Sequence, residues 1–459
     1  MASMKSTVAS NKRDCGDARL GTCSAPMTDL PPDPDSVPSA IEAPKQDGGD
    51  TSMRALLKQT DFLFFWTARF VATLAVQIQA VTIGWQVYTL ARETGRDEGQ
   101  GAFLLGMVGL AQFIPLFFLA LTAGETADRH DRKAIMTAAI GVDILCAGGL
   151  GLLAWSGHTA LWPIFAIAVL FGAGRAFLSP ASSAMGPMLV PRPLLPRAIA
   201  WNSLSWQSAS IIGPALGGLL CAISPAVAFG ASAGLFLLGG LCLLGIRQST
   251  KPVVQPGSRW TLIKEGLVYT WRNKIVFGSI SLDLFAVLLG GATALLPVFA
   301  RDVLHVGAEG FGILRAAPAV GATVVAVVLA SQQIRRRAGL LMFGAVAVFG
   351  AATVVFGLSQ WMWLSVAALA VLGGADMVSV YIRQTLVQLV TPDPMRGRVA
   401  AVSGLFISAS NELGEFESGV AARFLGPVGA AVFGGVGALV VTGAWAKMFP
   451  ELRKADRLE

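Results

Sequence analysis

Charge is scarce in this sequence. Asp, Glu, Lys and Arg make up 14% of its 459 residues, where soluble domains carry about a quarter. Together with 54% hydrophobic residues and a mean hydropathy of +0.62, that deficit argues against a large soluble core and for a polytopic membrane protein. Histidine is nearly absent, and His130, His158 and His305 are too dispersed for a metal site or a hydrolytic triad. No GxxxxGKS/T stretch occurs, which leaves no case for ATP as the energy source. An enzyme is therefore not expected, and no cofactor or metal is implied. The five cysteines, Cys15, Cys23, Cys146, Cys221 and Cys242, have neither metal-site nor disulfide-framework spacing. The last three fall in apolar segments, as small hydrophobes do. Residues 1–53 are rich in Pro, Asp, Ser and Gly and lack an apolar run long enough for a signal-peptide core. A disordered cytoplasmic tail is expected there, with Met27 and Met53 as alternative starts.

What is abundant is apolar stretches of about 20 residues, the length a bilayer core requires. Twelve follow one another from Asp61, near 62–90, 101–123, 134–156, 160–184, 198–222, 225–246, 275–300, 308–331, 339–358, 361–385, 399–422 and 427–447. The first carries Arg69, Gln77, Gln79 and Gln86, so much of one face cannot point at lipid. An even count puts both termini on one side, and Lys and Arg choose the side. Twenty-two of them fall with the termini, the 124–133 stretch and the middle loop, whereas only Arg92, Arg96, Arg301 and Arg423 fall opposite. That bias predicts cytoplasmic termini. It also accounts for the net charge of +7 without a nucleic-acid partner.

The one long break inside the apolar body, 247–273, separates six spans from six. The expected organisation is a tail (1–53), a first half (54–246), a cytoplasmic central loop (247–273), a second half (274–447) and a C-terminal tail (448–459). Duplication is supported by LVPRPLLPRAIAWNS from Leu189 and LVTPDPMRGRVAAVSG from Leu389, which occupy equivalent positions in the two halves.

Between spans two and three lies GETADRHDRK, with Gly124, Asp128, Arg129, Arg132 and Lys133 in the pattern G-x-x-x-D-R-x-x-R-K. Such charge density between two apolar runs predicts a loop in water. With twelve spans in two sixes, this pattern resembles the major facilitator superfamily, although Asp131 stands where that family usually has Gly and Thr126 where an apolar residue is common. The resemblance implies an all-α membrane fold of two six-helix halves and a conformational latch at these five residues, on the cytoplasmic side. Gly213, Pro214, Gly217 and Gly218 in IIGPALGGLL are similar to a Gly-Pro motif of the family's antiporters; small residues four apart also allow close helix packing. AFLSPA (176–181) and RQTLVQLVTPDPMRGRV (383–399) resemble bacterial exporters of the enterobactin-exporter and drug–proton antiporter kind. Arg175 stands where a span-four arginine takes part in proton coupling in such carriers, but the Gln-Gly that often follows is replaced by Ala176-Phe177-Leu178-Ser179.

Apart from any family, each intramembrane charge costs about 2.5–3.5 kcal/mol on insertion scales and is a functional candidate. These are Arg69, Asp143, Arg175, Asp283, Arg315, Asp376, Arg383, Glu412, Glu415 and Glu417. Glu412 and Glu415 share a helix face while Glu417 turns away, and two close carboxylates tend to share a proton. The proton-coupling candidates are Glu412, Glu415, Asp376, Arg175 and Arg383; a static pair between span eleven and Arg383 or Arg315 is the competing reading. Asp143 and Asp283 are expected to reach water near the cytoplasmic ends. Gln79, Trp85, Gln86 and Arg315 are candidates for a substrate cavity, with Arg175 and Asp376 across it.

The sequence thus predicts a monomeric, multi-pass transporter of the bacterial inner membrane. Its expected partners are a small-molecule substrate, protons and lipid, and its expected task is efflux of a siderophore- or drug-like amphipathic compound by alternating access. A nutrient importer or uniporter of the same fold, or a transport-inactive sensor, are the alternatives.

Overall fold

The computed structural model describes residues 53–251, 259–332 and 337–454. The expectations for the tail before Met53, for Arg335 and Arg336, and for 252–258 and 455–459 lie outside them. Among the described residues every regular element is helical. Eleven stretches are long and apolar enough to cross a bilayer, and the last of them is two helices. The run Asp393–Met448 is interrupted at Gly426, whose φ of 73° and ψ of 167° are non-helical. Glycine adopts that backbone without a steric penalty, and Pro427 follows in the first turn of the next helix, where a missing N–H costs nothing.

The spanning helices are α1 (Thr60–Glu93), α2 (Glu98–Arg129), α3 (Arg132–Trp155), α4 (Trp162–Met185), α5 (Leu195–Ile223), α6 (Pro225–Leu244), α7 (Lys274–Leu289), α8 (Gly307–Ser331), α9 (Ala338–Leu358), α10 (Met362–Val390), α11 (393–425) and α12 (427–448). They form an all-α membrane protein of two six-helix halves, α1–α6 and α7–α12. Several starts are written locally in the chain. Asp97 accepts from the Gln100 N–H at 2.6 Å, Ser224 from Val227 at 3.2 Å, and Asn273 from Ile275 and Val276 at 3.1 Å, which satisfies N–H groups that a helix start leaves open.

The 124–133 stretch is not the loop its charges suggest. α2 continues through Arg129, so only His130 and Asp131 connect it to α3. Arg129 and Glu125, one turn apart, form an exposed pair at 2.7 Å, and the Thr126 hydroxyl donates to the Thr122 carbonyl at 2.7 Å. The central segment likewise holds a helix, Arg259–Arg272, anchored to the α10–α11 turn. The Tyr269 hydroxyl donates to the Val390 carbonyl at 2.9 Å, and Arg398 pairs with Glu265. α7 ends at Leu289, and the chain reaches Val303 through short 3-10, α and π turns.

The halves meet along α2 against α11 and α5 against α8. Without water to drive association, helices in lipid rely on close van der Waals approach, which small residues allow. A methyl on Gly106 would sit 3.0 Å from the Gly419 Cα, and one on Gly218 would sit 2.6 Å from the Gly312 Cα. Both contacts lie toward the end opposite the termini. Polar ties between halves gather there too: Arg423 to Asp97 at 3.3 Å, Arg92 to Asp302 at 3.4 Å, and a hydrogen bond from the Tyr88 hydroxyl to Asp302. Toward the termini the contact thins: the Gln207 amide of α5 still donates to the Thr323 hydroxyl of α8 at 2.7 Å, but a methyl on Gly404 of α11 would meet nothing within 4 Å.

Candidate functional site

Where the halves part, a central cavity of about 140 Å³ opens, walled by α1, α2, α4, α8, α11 and the stretch after α7. Two carboxylates and two guanidinium groups face it. Arg175 comes from α4 and reaches Glu412 of α11 at 3.4 Å and the Gln112 side-chain oxygen of α2 at 3.2 Å. Phe171, one turn earlier, places its ring 5.9 Å from the same guanidinium, within cation–π range. Arg315 of α8 lies 3.8 Å from Glu415 and donates to the Thr293 carbonyl at 3.2 Å. The Thr293 carbonyl also accepts from the Leu296 N–H at the end of a short 3-10 turn, so Arg315 uses its second lone pair.

Glu412 and Glu415 share one face of α11, as their spacing predicts. Gly109 of α2 leaves the room: a methyl there would sit 3.1 Å from a Glu415 carboxylate oxygen. The Arg175–Glu412 pair joins the first half to the second, whereas Arg315–Glu415 lies within the second. Glu412 is the better shielded of the two acids, its side chain 14% exposed against 31% for Glu415.

Asp376 and Arg383 stand elsewhere. They lie seven residues apart on α10 and face the interior of the second half, where Arg383 pairs with Asp283 at 2.9 Å. Asp283, Asp376 and Ser379 line one small pocket there. Asp376 is thus not across the central cavity, and Arg383 is not the partner of α11. Asp283 is 5% exposed and Asp143 0%, so neither reaches water as the sequence suggested; helix packing covers both. Neither carboxylate oxygen of Asp143 has a hydrogen-bond partner.

On α1 the cavity wall is Val76, Gln77, Ala80, Val81 and Gly84. Gln79 and Gln86 are buried, with the Gln79 amide unpartnered. Trp85 stacks on Phe311, a wall residue, at 5.9 Å. Gln112, Thr293 and Gln77 are site residues that sequence reasoning missed. A lone glutamine in the apolar run of α2 was the available signal for Gln112. The Gly-Pro motif serves two contacts: Gly217 faces Ile78 of α1, while Gly218 and the Pro214 carbonyl face Gly312 of α8.

The basic residues at the α2–α3 turn bind within the first half. Arg132 donates to the Ala184 carbonyl at 3.1 Å, at the end of α4. Lys133 donates to the Leu244 and Ile246 carbonyls at 3.1 and 2.7 Å, where α6 ends. Asp131 accepts from the Lys133 N–H and the Thr250 hydroxyl. Cations at helix C-termini satisfy open carbonyls and suit the helix dipole.

The pattern of the family described as transmembrane secretion effectors matches residues 51–459. Among characterised proteins, the enterobactin exporter EntS of Citrobacter koseri is 28% identical over 374 residues, covering 80% of this chain and 85% of that protein. EntS of Escherichia coli gives the same identity and coverage. Solved structures share the fold at lower identity. A POT family transporter in complex with 5-aminolevulinic acid superposes with a TM-score of 0.69 at 12% identity, over 85% of this chain and 96% of that one. A bacterial homologue of the iron transporter ferroportin in an inward-facing state gives 0.63 at 15%, over 85% and 99%.

Proposed function

The chain belongs to the transmembrane secretion effector family of the major facilitator superfamily and is a multi-pass membrane transporter, and we propose that it exports a small amphipathic organic compound in exchange for protons. Export is supported by the relatives' activity and exchange by the cavity's charges. The distribution of Lys and Arg supports cytoplasmic termini in a bacterial inner membrane. The parted end of the bundle then faces the cytoplasm, as a carrier waiting for its cargo requires.

The observation that carries the reading is the Arg175–Glu412 pair, which ties α4 of one half to α11 of the other inside the cavity. A proton on Glu412 removes its charge and loosens that tie, freeing the halves to rock about the midplane. Glu415, three residues along, is the second place the proton can rest. Arg132 and Lys133 act as the latch by holding α4 and α6 to the α2–α3 turn as one rigid unit. The Asp283–Asp376–Arg383 cluster is set apart from this path and serves to hold α7 on α10. One proton moving inward through 100 mV supplies about 2.3 kcal/mol, and each unit of pH gradient adds about 1.4 kcal/mol. Together these sustain a substrate gradient of about two to three decades.

The test is proton movement in proteoliposomes on addition of siderophore-like compounds and lipophilic cations. Wild type is compared with Glu412→Gln and Glu415→Gln. Compound-dependent proton flux that is lost in Glu412→Gln supports exchange. Substrate flux indifferent to pH and to both substitutions would leave a facilitator.

A further inference from the structure

A second cavity lies beside the first, toward the termini, inside the first half. It has a volume of about 230 Å³, is open to solvent on one side, and shares Val76 and Arg175 with the central one. Its distinctive member is Arg69. This residue sits nine positions into α1, about 14 Å along the helix, well inside the span. Each other cavity-facing guanidinium has a carboxylate: Arg175 has Glu412 and Arg315 has Glu415. Among the described residues Arg69 has none within 4.0 Å, and its side chain makes no hydrogen bond. The acid that α3 contributes, Asp143, is buried beside Gly174 of α4, and Arg175 is the cation that also faces this cavity.

The rest of the wall suits a ligand rather than a counter-charge. Ser179, Ser182 and Ser183 of α4 offer hydroxyls that bond to no protein group. Met136, Ile140, Leu178 and the exposed indole of Trp206 supply apolar surface in the same wall. An intramembrane arginine is costly to insert, and such residues are ordinarily paired. Here no described residue supplies that partner, and the group is left facing the cavity.

We infer that Arg69, with the three serine hydroxyls, forms an entry subsite for the acidic group of an organic anion, whose apolar body lies against Trp206 and Leu178. This rests on reading the cavity as the transport path, and it assigns the cargo to amphipathic carboxylic, sulfonic or phosphoric acids rather than to lipophilic cations. The shared wall at Arg175 makes the subsite continuous with the central cavity, so a bound anion has a second guanidinium ahead of it.

Equilibrium binding to the full chain in nanodiscs tests this, with radiolabelled 1-naphthoate and its neutral amide, 1-naphthamide, as probes. A hydrogen bond to a charged group contributes about 1.5–3 kcal/mol, so naphthoate should bind at least ~10-fold more tightly than the amide. Arg69→Gln should weaken naphthoate ~10-fold and leave the amide unchanged, while Arg69→Lys, which keeps the charge, should stay within ~3-fold of wild type. Equal affinity for the two probes in wild type overturns the inference, as does a preference that persists in Arg69→Gln. Glu412→Gln separates the two claims: it should keep the naphthoate preference even where proton exchange is lost. A missing preference beside intact proton exchange would remove the anion site alone.

Discussion

Replacing Gly419 by Ala should open the end of the bundle that faces away from the termini. The added methyl would sit 2.8 Å from the Gly106 Cα and 2.9 Å from the Ala102 carbonyl oxygen, where carbon atoms ordinarily rest ~3.5–4.0 Å apart. Both obstacles are backbone, so neither can swing aside, and α2 and α11 must separate by roughly 1 Å at this level. Overpacking of this kind costs about 1–3 kcal/mol. In alternating access α2 and α11 part when that end opens, so the cost should fall on the closed arrangement. The ratio of closed to open molecules should then fall ~5- to 150-fold. Electron–electron distance measurement between nitroxides at Thr94→Cys and Glu309→Cys reads that ratio directly. Both positions are exposed, one in each half. The distribution should shift to longer distances in Gly419→Ala and stay unchanged in Gly404→Ala, where a methyl meets nothing within 4 Å. A shift of equal size in both, or in neither, would refute the idea that this helix contact holds the end closed.

Asp302→Asn, which weakens the acceptor shared by Tyr88 and Arg92, should lower stability by about 1–2 kcal/mol in a thermal-shift assay. Arg423→Gln, whose pair with Asp97 is 40% and 62% exposed, should change it by less than ~0.5 kcal/mol. Arg383→Met leaves Asp283 buried without its cation and should cost about 3–5 kcal/mol, seen as loss of folded protein in detergent. Adding Asp283→Asn should recover part of that yield. Lys133→Ala removes two bonds to the end of α6 and should increase hydrogen exchange at Leu244 and Ile246, with α9 unaffected.

The helix count was legible because each apolar run is set by bilayer thickness, a constraint that acts on single stretches of sequence. The break between α11 and α12 was visible for the same kind of reason: Gly426-Pro427 is a local signal, and it ends a helix that is otherwise continuous. The site was only half legible. Spacing alone placed Glu412 and Glu415 on one face, but it could not say which face of α1 looks inward. Gln77 and Gln79 are about 200° apart around that helix, and the choice between them is made by how α1 packs on its neighbours. The same limit misplaced Asp376 and Arg383, whose shared face is turned to Asp283. Charge density at 124–133 fits the exposure of Glu125 and Arg129, but it did not show that α2 would carry its helix out to Arg129. An exposed i,i+4 pair such as Glu125–Arg129 supports helix as readily as charge supports a loop.

The claim that a proton on Glu412 releases the two halves is tested most directly by asking from which side the cavity is reached. Gln77→Cys, on the cavity wall, in a chain whose native cysteines are replaced by serine, would be labelled with an impermeant maleimide in inside-out and in right-side-out vesicles. Labelling of the parent should come from the side that holds the termini. Glu412→Gln, which mimics the proton-bound acid, should move a substantial fraction of labelling to the opposite side. Identical sidedness in the two proteins would contradict the account.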